Sequence, residues 1–201
     1  MSVAGIVLAG GGSTRMGRDK AALPWGGATL LEHVCGVLAE AVDGPVVVVR
    51  APGQALSAVP FEVVEDPVAG RGPLQGIAAG LAAVAGRAGR AFVAAVDLPA
   101  LDAPTVRAVL AALDDGSDVA LPVADGHRQP LAAAYRTALA PLAAELVADG
   151  PQGTRALMER CRVRELPAAA LPGGDAGLRD VDTPGDLRAA YDRLTMRSAR
   201  P

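Results

Sequence analysis

The sequence predicts an α/β fold built on a mostly parallel sheet, and three observations carry that prediction. Short apolar runs alternate with segments of helical periodicity, the pattern of strands joined by crossover helices. The first run, Val3-Ala4-Gly5-Ile6-Val7-Leu8, is apolar nearly throughout, as suits a strand covered on both faces. Directly after it, residues 10–20 hold four glycines, two arginines and a lysine, a turn suited to an anion.

The elements follow in order. Val3–Leu8 reads as the first strand. Residues 28–42 read as a helix, with Leu30, Leu31, Val34, Val37, Leu38 and Ala41 on one face. Thr29 and Glu32 form a capping-box start, and Gly44-Pro45 marks the stop. Residues 45–49 and 61–65 read as the second and third strands, and 74–85 as a helix of small residues. Residues 91–96 form a strand that ends at Asp97. Val106, Val109, Leu110 and Leu113 follow helical spacing over 105–113, with Pro104 tolerated in the first turn. Residues 117–123 and 130–135 are expected as strands around the turn Ala124-Asp125-Gly126-His127. Helices at 138–147 and 154–160 precede a short strand at 163–166. Residues 167–177, rich in Ala, Gly and Pro, read as a loop. A last helix over 184–194 starts at Thr183-Pro184, and 195–201 are expected to form a flexible tail.

At 201 residues the chain is expected to form one domain, spanning 1–194. Half of the residues are hydrophobic but only 2% aromatic, so the core must be built from Ala, Val and Leu. A net charge of −3 gives no broad basic face, which argues against nucleic acid as a main partner. Cys35 and Cys161 lie far apart in sequence, with no C-x-x-C pattern, and read as free thiols. With no signal-type segment and no apolar run of membrane length, a cytoplasmic protein without a membrane partner is expected.

The stretch Leu8 to Lys20, LAGGGSTRMGRDK, fits neither common phosphate loop. A dinucleotide fingerprint needs G-x-G-x-x-G, and Arg15 stands where the third Gly belongs. A Walker loop needs Lys-Ser or Lys-Thr after its last Gly, and Arg18-Asp19 follow Gly17. What remains is a turn that exposes backbone N–H groups, with Arg15, Arg18 and Lys20 to neutralise charge. Alone, such a loop also has the simpler reading of a flexible loop with solvated charges, though the anion reading is the favoured one.

The other strand ends favour a ligand. In open α/β sheets ligands lie beyond the carboxyl ends of parallel strands. Asp66 and Asp97 each end a strand and should project onto the edge that carries the glycine loop. Cations and carboxylates at one edge suit a nucleoside triphosphate with Mg²⁺. Each Asp also has the simpler reading of a residue that starts a turn.

These residues resemble a known family. Leu8-Ala9-Gly10-Gly11, Arg15-Met16-Gly17 and Asp19-Lys20 are similar to the L-A-G-G-x-S-x-R-M-G-x-D-K signature of molybdenum cofactor guanylyltransferases, a branch of the nucleotidyltransferase superfamily. Glu65-Asp66, Gly72-Pro73-Leu74-Gln75-Gly76, Asp97-Leu98-Pro99, Gln129-Pro130-Leu131 and Thr183-Pro184-x-Asp186-Leu187 match in order, so the resemblance runs from Ala4 to about Leu194. It implies a three-layer α/β/α, Rossmann-like fold, its N-terminal half binding nucleotide and its C-terminal half binding pterin. It also implies a reaction in which GTP and molybdenum-bearing molybdopterin give the guanine dinucleotide cofactor and pyrophosphate. By position, Leu8, Ala9, Gly10, Gly11 and Asp66 would contact the nucleotide, and Gly72, Pro73 and Leu74 would line the base pocket. Lys20 would contact phosphate, Arg15 would stabilise the triphosphate and Asp97 would hold Mg²⁺. The molybdenum insertase and recipient molybdoenzymes are expected partners.

Two departures stand out. The family's Asn-x-Asn-Thr-Pro reads Asp180-Val181-Asp182-Thr183-Pro184, and Asp182 could add a carboxylate to the metal or cap the last helix. Arg50 stands where an Asn that touches nucleotide is usual. Alternatives to a guanylyltransferase are a molybdopterin cytidylyltransferase, a related sugar-phosphate nucleotidyltransferase and a non-catalytic nucleotide-binding module. Cytidylyl relatives usually carry L-A-A-G, so Gly10 is read as favouring guanine, because a side chain there would crowd a purine. His33 reads as a helix packing residue, and His127 as a turn residue within possible reach of a pterin.

Overall fold

The computed structural model describes residues 2–10, 19–68 and 70–198. Gly11, Arg15 and Arg18, singled out above, lie outside the described residues.

Strands β1 (Val3–Leu8), β4 (Val46–Arg50), β5 (Glu62–Glu65) and β6 (Arg90–Ala95) form the parallel heart of the sheet. Between them in sequence lie a short hairpin, β2 (Pro24–Trp25) and β3 (Ala28–Thr29), and helices α1 (Leu30–Ala41) and α2 (Pro73–Val84). Helix α3 (Ala103–Ala112) leads to β7 (Val119–Ala124), β8 (His127–Arg128) and β9 (Ala132–Arg136). Helices α4 (Ala140–Ala148) and α5 (Thr154–Met158) precede β10 (Val163–Pro167), and α6 (Pro184–Ser198) closes the described chain. Strand order is β10-β7-β9-β6-β1-β4-β5, with β8 paired to β7. Only β9 and β8 run antiparallel to their neighbours among the described strands of this sheet.

Alternation along each strand splits the core in two. Val7, Val48, Phe92 and Ala94 face one cluster with α1, α3 and α6. Ile6, Leu8, Val47, Val49 and Val93 face the other, with α2, α4 and α5. The result is a three-layer α/β/α arrangement. The small residues of α2 have a direct cause: a Cβ on Gly80 would lie 2.4 Å from Ile6 Cγ2, so the helix rests on β1 only without it.

Most differences from the sequence reading sit at element ends, and the short strands β2, β3 and β8 are additions to it. Helix α1 begins at Leu30 because Thr29 caps it, its hydroxyl accepting from Glu32 N while Glu32 reaches back to the Thr29 N–H. Residues 24–29, in part assigned to that helix, form the β2–β3 hairpin instead. Gly26 and Gly27, at φ +56 and +88, supply the two left-handed positions of its turn. Helix α3 starts earlier than expected, at Ala103, since Asp102 caps it by accepting from Thr105 N. The helix expected over 154–160 stops at Met158. Within 167–177 lie two 3₁₀ turns, Ala168–Ala170 and Asp175–Leu178. The last helix runs to Ser198, past the Leu194 at which a tail was expected to begin. No helix among the described residues is long and apolar enough to cross a membrane.

Candidate active site

The carboxyl ends of β1, β4, β5 and β6 share one edge. The connection through α1 leaves β1 toward β4, and the one through α2 returns to β6 on the other side, so chain order reverses at β1. A crevice opens at such a reversal. It holds a cavity of about 650 Å³. Leu8, Ala9, Gly10, Lys20, Asp66, Gly72, Pro73 and Asp97 line it, joined by Asp19, Arg50, Ala51 and Arg71. Both predicted strand-end carboxylates thus share one chamber with the described ends of the glycine loop.

Leu74 is a correction. Its side chain is wholly buried with Ile77 and Leu81 beneath the sheet and is absent from the cavity wall. The first turn of α2 points Gly72 and Pro73 at the cavity, and helical rotation carries the next side chain into the core. Gly72 has φ +86 and the α2 N-terminus carries no side-chain cap, so the positive end of the helix faces the cavity.

Gly10 also has a different reason from the purine clash expected. A Cβ there would lie 2.8 Å from the backbone N of Ala51, so glycine is demanded by the neighbouring loop before any ligand enters. Arg50, in place of the usual Asn, is engaged with Glu65 at 2.9 Å and with the Gln54 carbonyl at 3.1 Å. Asp66 does start a turn, its carboxylate accepting from Val68 N, while it also lines the cavity.

Lys20 is placed by Asp19, which caps the 3₁₀ turn Lys20–Ala22 by accepting from Ala21 N at 2.9 Å. Its ammonium donates to Asp97 at 2.7 Å and to Asp182 at 2.6 Å. Lys20 and Asp97 are largely shielded, at 16% and 19% side-chain exposure, whereas Asp182 at 43% opens to solvent. Burial works to lower the Lys20 pKa, but the bonds and charges of Asp182 and Asp97 together outweigh it, and the pKa lies above the usual lysine value.

Asp182 arrives beside Asp97 because Val181 N donates to the Asp97 carbonyl at 3.0 Å. Of the two readings left open for Asp182, capping belongs to others: Asp186 accepts from the Thr183 N–H and hydroxyl, and the Thr183 hydroxyl accepts from Asp186 N. Asp180 joins the group, and oxygens of Asp97, Asp180 and Asp182 all lie within 4.8 Å of one another. Burial, followed by the charges of Asp182 and Asp97, raises the Asp180 pKa above the usual carboxylate value. From the sequence Asp180 is legible only as a departure from the family's Asn, with its place two residues before Asp182 as the signal for a role.

A second cavity of about 400 Å³ adjoins the first and shares Pro73, Ala95, Asp97 and Leu131 with it. His127, Gln129, Arg179 and Asp180 are among its other lining residues. Cys35 is buried in the core, its thiol pushed up to about 12 by burial and then by Glu32, and neither cysteine is in a disulfide. His33 sits in α1 beside Trp25 and lines neither cavity.

A reversed-order parallel sheet with a glycine loop, a shielded lysine and clustered carboxylates at its carboxyl edge defines a nucleotide-handling α/β enzyme domain. Comparison with known proteins makes this particular: residues 5–166 match the model of the MobA-like NTP transferase domain, and the chain belongs to that family. A probable molybdenum cofactor guanylyltransferase of Mycobacterium avium (strain 104) is 44% identical, covering 94% of this chain and 95% of the relative. One of Mycobacterium marinum is 40% identical over 94% and 93%. Among solved structures, molybdopterin-guanine dinucleotide biosynthesis protein A from Archaeoglobus fulgidus aligns at TM-score 0.77 and 24% identity, over 96% of this chain and 99% of that one. A 2-C-methyl-D-erythritol 4-phosphate cytidylyltransferase from Thermus thermophilus aligns at 0.71 and 22%, over 97% and 100%. The sheet and its flanking helices are therefore those of a nucleotidyltransferase fold.

Proposed function

We propose that this chain transfers GMP from GTP to molybdenum-bearing molybdopterin, forming the guanine dinucleotide cofactor and pyrophosphate. One observation carries the reading: Asp97, which lines both cavities, is in contact at 2.7 Å with Lys20, which lines the larger one. A transfer between two bound substrates needs its charge-stabilising groups where the two substrates meet. The guanylyltransferase names of the mycobacterial relatives support the choice of nucleotide.

The larger cavity, walled by the N-terminal half, would take GTP, with Leu8, Ala9, Gly10 and Asp66 against the nucleotide and Gly72 and Pro73 beside its base. Gly11 and Arg15 belong to the same proposal from the sequence motif. The smaller cavity, walled chiefly by the C-terminal half, would take the pterin, with His127, Gln129 and Arg179 among its lining residues. An oxygen of the pterin's terminal phosphate forms a bond to the α-phosphorus of GTP as the bond from that phosphorus to the β-phosphate oxygen breaks. The acceptor is itself the nucleophile, so no Ser, Cys or His is consumed. Lys20 and Arg15 offset charge on the departing pyrophosphate.

The residues present fit Mg²⁺. Asp97, Asp180 and Asp182 offer close-set carboxylate oxygens, the hard ligands this ion prefers, with triphosphate oxygens to complete the shell. When bound, the ion supplies Lewis-acid neutralisation of phosphate charge. A cytoplasmic setting, and handover from an insertase and on to apoenzymes, complete the proposal.

Calorimetric titration with GTP, CTP and ATP, each with Mg²⁺, tests it. GTP should bind tightest. Tighter CTP binding would overturn the guanine assignment.

A further inference from the structure

The segment after β4 does more than close a loop. Ala51-Pro52-Gly53-Gln54 is a turn in which Gln54 N donates to the Ala51 carbonyl at 3.0 Å. Pro52 presets the second position and Gly53, at φ +70, supplies the left-handed third, the pattern of a type II turn. This turn delivers the half-buried Gln54 side chain to the base of the glycine loop. There its Nε2 donates both to the Ala9 carbonyl at 3.0 Å and to the Asp19 carboxylate at 2.7 Å. Its Oε1 accepts from Ala51 N at 3.0 Å, so both ends of the amide are used.

Ala9 and Asp19 flank the phosphate-loop segment on its two sides, ten residues apart. Asp19 is also the cap that places Lys20, through its other oxygen. One amide nitrogen therefore ties the entry of the loop to its exit. The same turn brings the Ala51 backbone so near that Gly10 can carry no Cβ.

We propose that Gln54 is a positioning residue for nucleotidyl transfer: it sets the span between Ala9 and Asp19 and thereby holds Lys20 at the triphosphate. This rests on the reading that residues 8–20 bind a nucleoside triphosphate. Gln54 touches no substrate; it acts through Asp19. Only an amide serves both roles here, because the Ala51 N–H needs an acceptor while Asp19 and Ala9 need donors.

The test uses the full chain with Gln54→Ala and Gln54→Glu, reading kcat/KM for nucleotide, nucleotide affinity and Tm. Gln54→Ala should lower kcat/KM by ~10-fold to ~100-fold, as expected for a displaced charge-stabilising group, with Tm little changed. In Gln54→Glu a carboxylate faces Asp19 with no proton between them at neutral pH. Two such groups share a proton as pH falls. Its activity relative to wild type should therefore rise from about pH 8 to about pH 5.5, while the Gln54→Ala ratio stays flat. Wild-type kcat/KM in Gln54→Ala overturns the proposal. So does a Gln54→Glu ratio that does not move with pH, which would indicate a structural role alone. GTP and CTP are titrated into wild type alongside. A preference for CTP removes the guanine reading and leaves Gln54 judged with CTP; binding of neither overturns both.

Discussion

The Lys20 ammonium and the Asp97 carboxylate, 77 residues apart in sequence, meet at 2.7 Å, and Asp182 accepts a second hydrogen bond from the same ammonium at 2.6 Å. A divalent cation held by the same carboxylates would compete with Lys20 for them. Replacing Lys20 with Met should cost ~100-fold to ~1000-fold in kcat, as for loss of a group that stabilises developing charge. Affinity for Mn²⁺ without nucleotide should hold or increase. Manganese titration of both proteins checks this, and weaker binding by Lys20→Met would contradict the competition.

Asp97 links both cavities, and Asp97→Ala should abolish metal-dependent pyrophosphate release while the fold survives. A pyrophosphate assay with circular dichroism measures both. Wild-type turnover in the variant would refute the metal role.

Asp180, exposed to solvent, is a member of the acidic group whose ionisation is disfavoured. Its folded pKa lies above the unfolded value, through burial first and then Asp182 and Asp97, so its ionisation opposes folding. Stability is lost as pH rises through the window between those two values. Asp180→Asn should therefore raise the metal-free Tm at pH 7 by ~1 to 3 °C. The gain should vanish as pH falls through the carboxylate range. Magnesium-supported turnover should fall in the same variant. A metal-free Tm at or below wild type at pH 7 would show that repulsion is not released.

Gly10→Ala separates two explanations of the glycine. Backbone crowding by Ala51 N, at 2.8 Å from the new Cβ, predicts a Tm drop of ~3 to 8 °C and parallel weakening of GTP and CTP. A purine clash predicts loss for GTP alone with stability retained. Thermal melts and paired titrations distinguish them.

His33 carries an acid sensitivity unrelated to the site. Burial lowers its pKa below the usual 6.5 despite the bond to the Pro99 carbonyl, and its Nε2 is buried without a partner. The unfolded chain therefore takes up a proton first, and stability falls as pH drops below that value. Relative to His33→Gln, wild type should lose stability between about pH 7 and about pH 5. A constant difference across that range would assign the effect elsewhere.

Much of the fold is legible in the sequence. Apolar runs mark the strands because β1, β4 and β6 are covered on both faces, and alternation then sends Ile6 and Val7 to opposite cores. Thr29 and Glu32 announce the start of α1 because a cap is a local pairing. The hairpin at 24–29 has one local signal, Gly26-Gly27, but its strands are held from far away in the sequence. Its Trp25 is held by a remote partner, packing against the tilted ring of Tyr191 with centroids 4.6 Å apart, while the Tyr191 hydroxyl donates to the Pro24 carbonyl. No local pattern reports a contact made across 167 residues.

The class of chemistry can be read along the chain, because a glycine-rich turn after the first strand and carboxylates at two later strand ends are local features. How those groups act together follows from packing instead. Leu74 enters the core because helix rotation, not motif membership, orients a side chain. Asp180 joins the site because Val181 hydrogen-bonds to the backbone of Asp97. Gln54 braces the loop because the turn after β4 folds back onto Ala9 and Asp19. Each depends on segments brought together by the sheet, and a proximity created by folding leaves no mark on the residues that precede it.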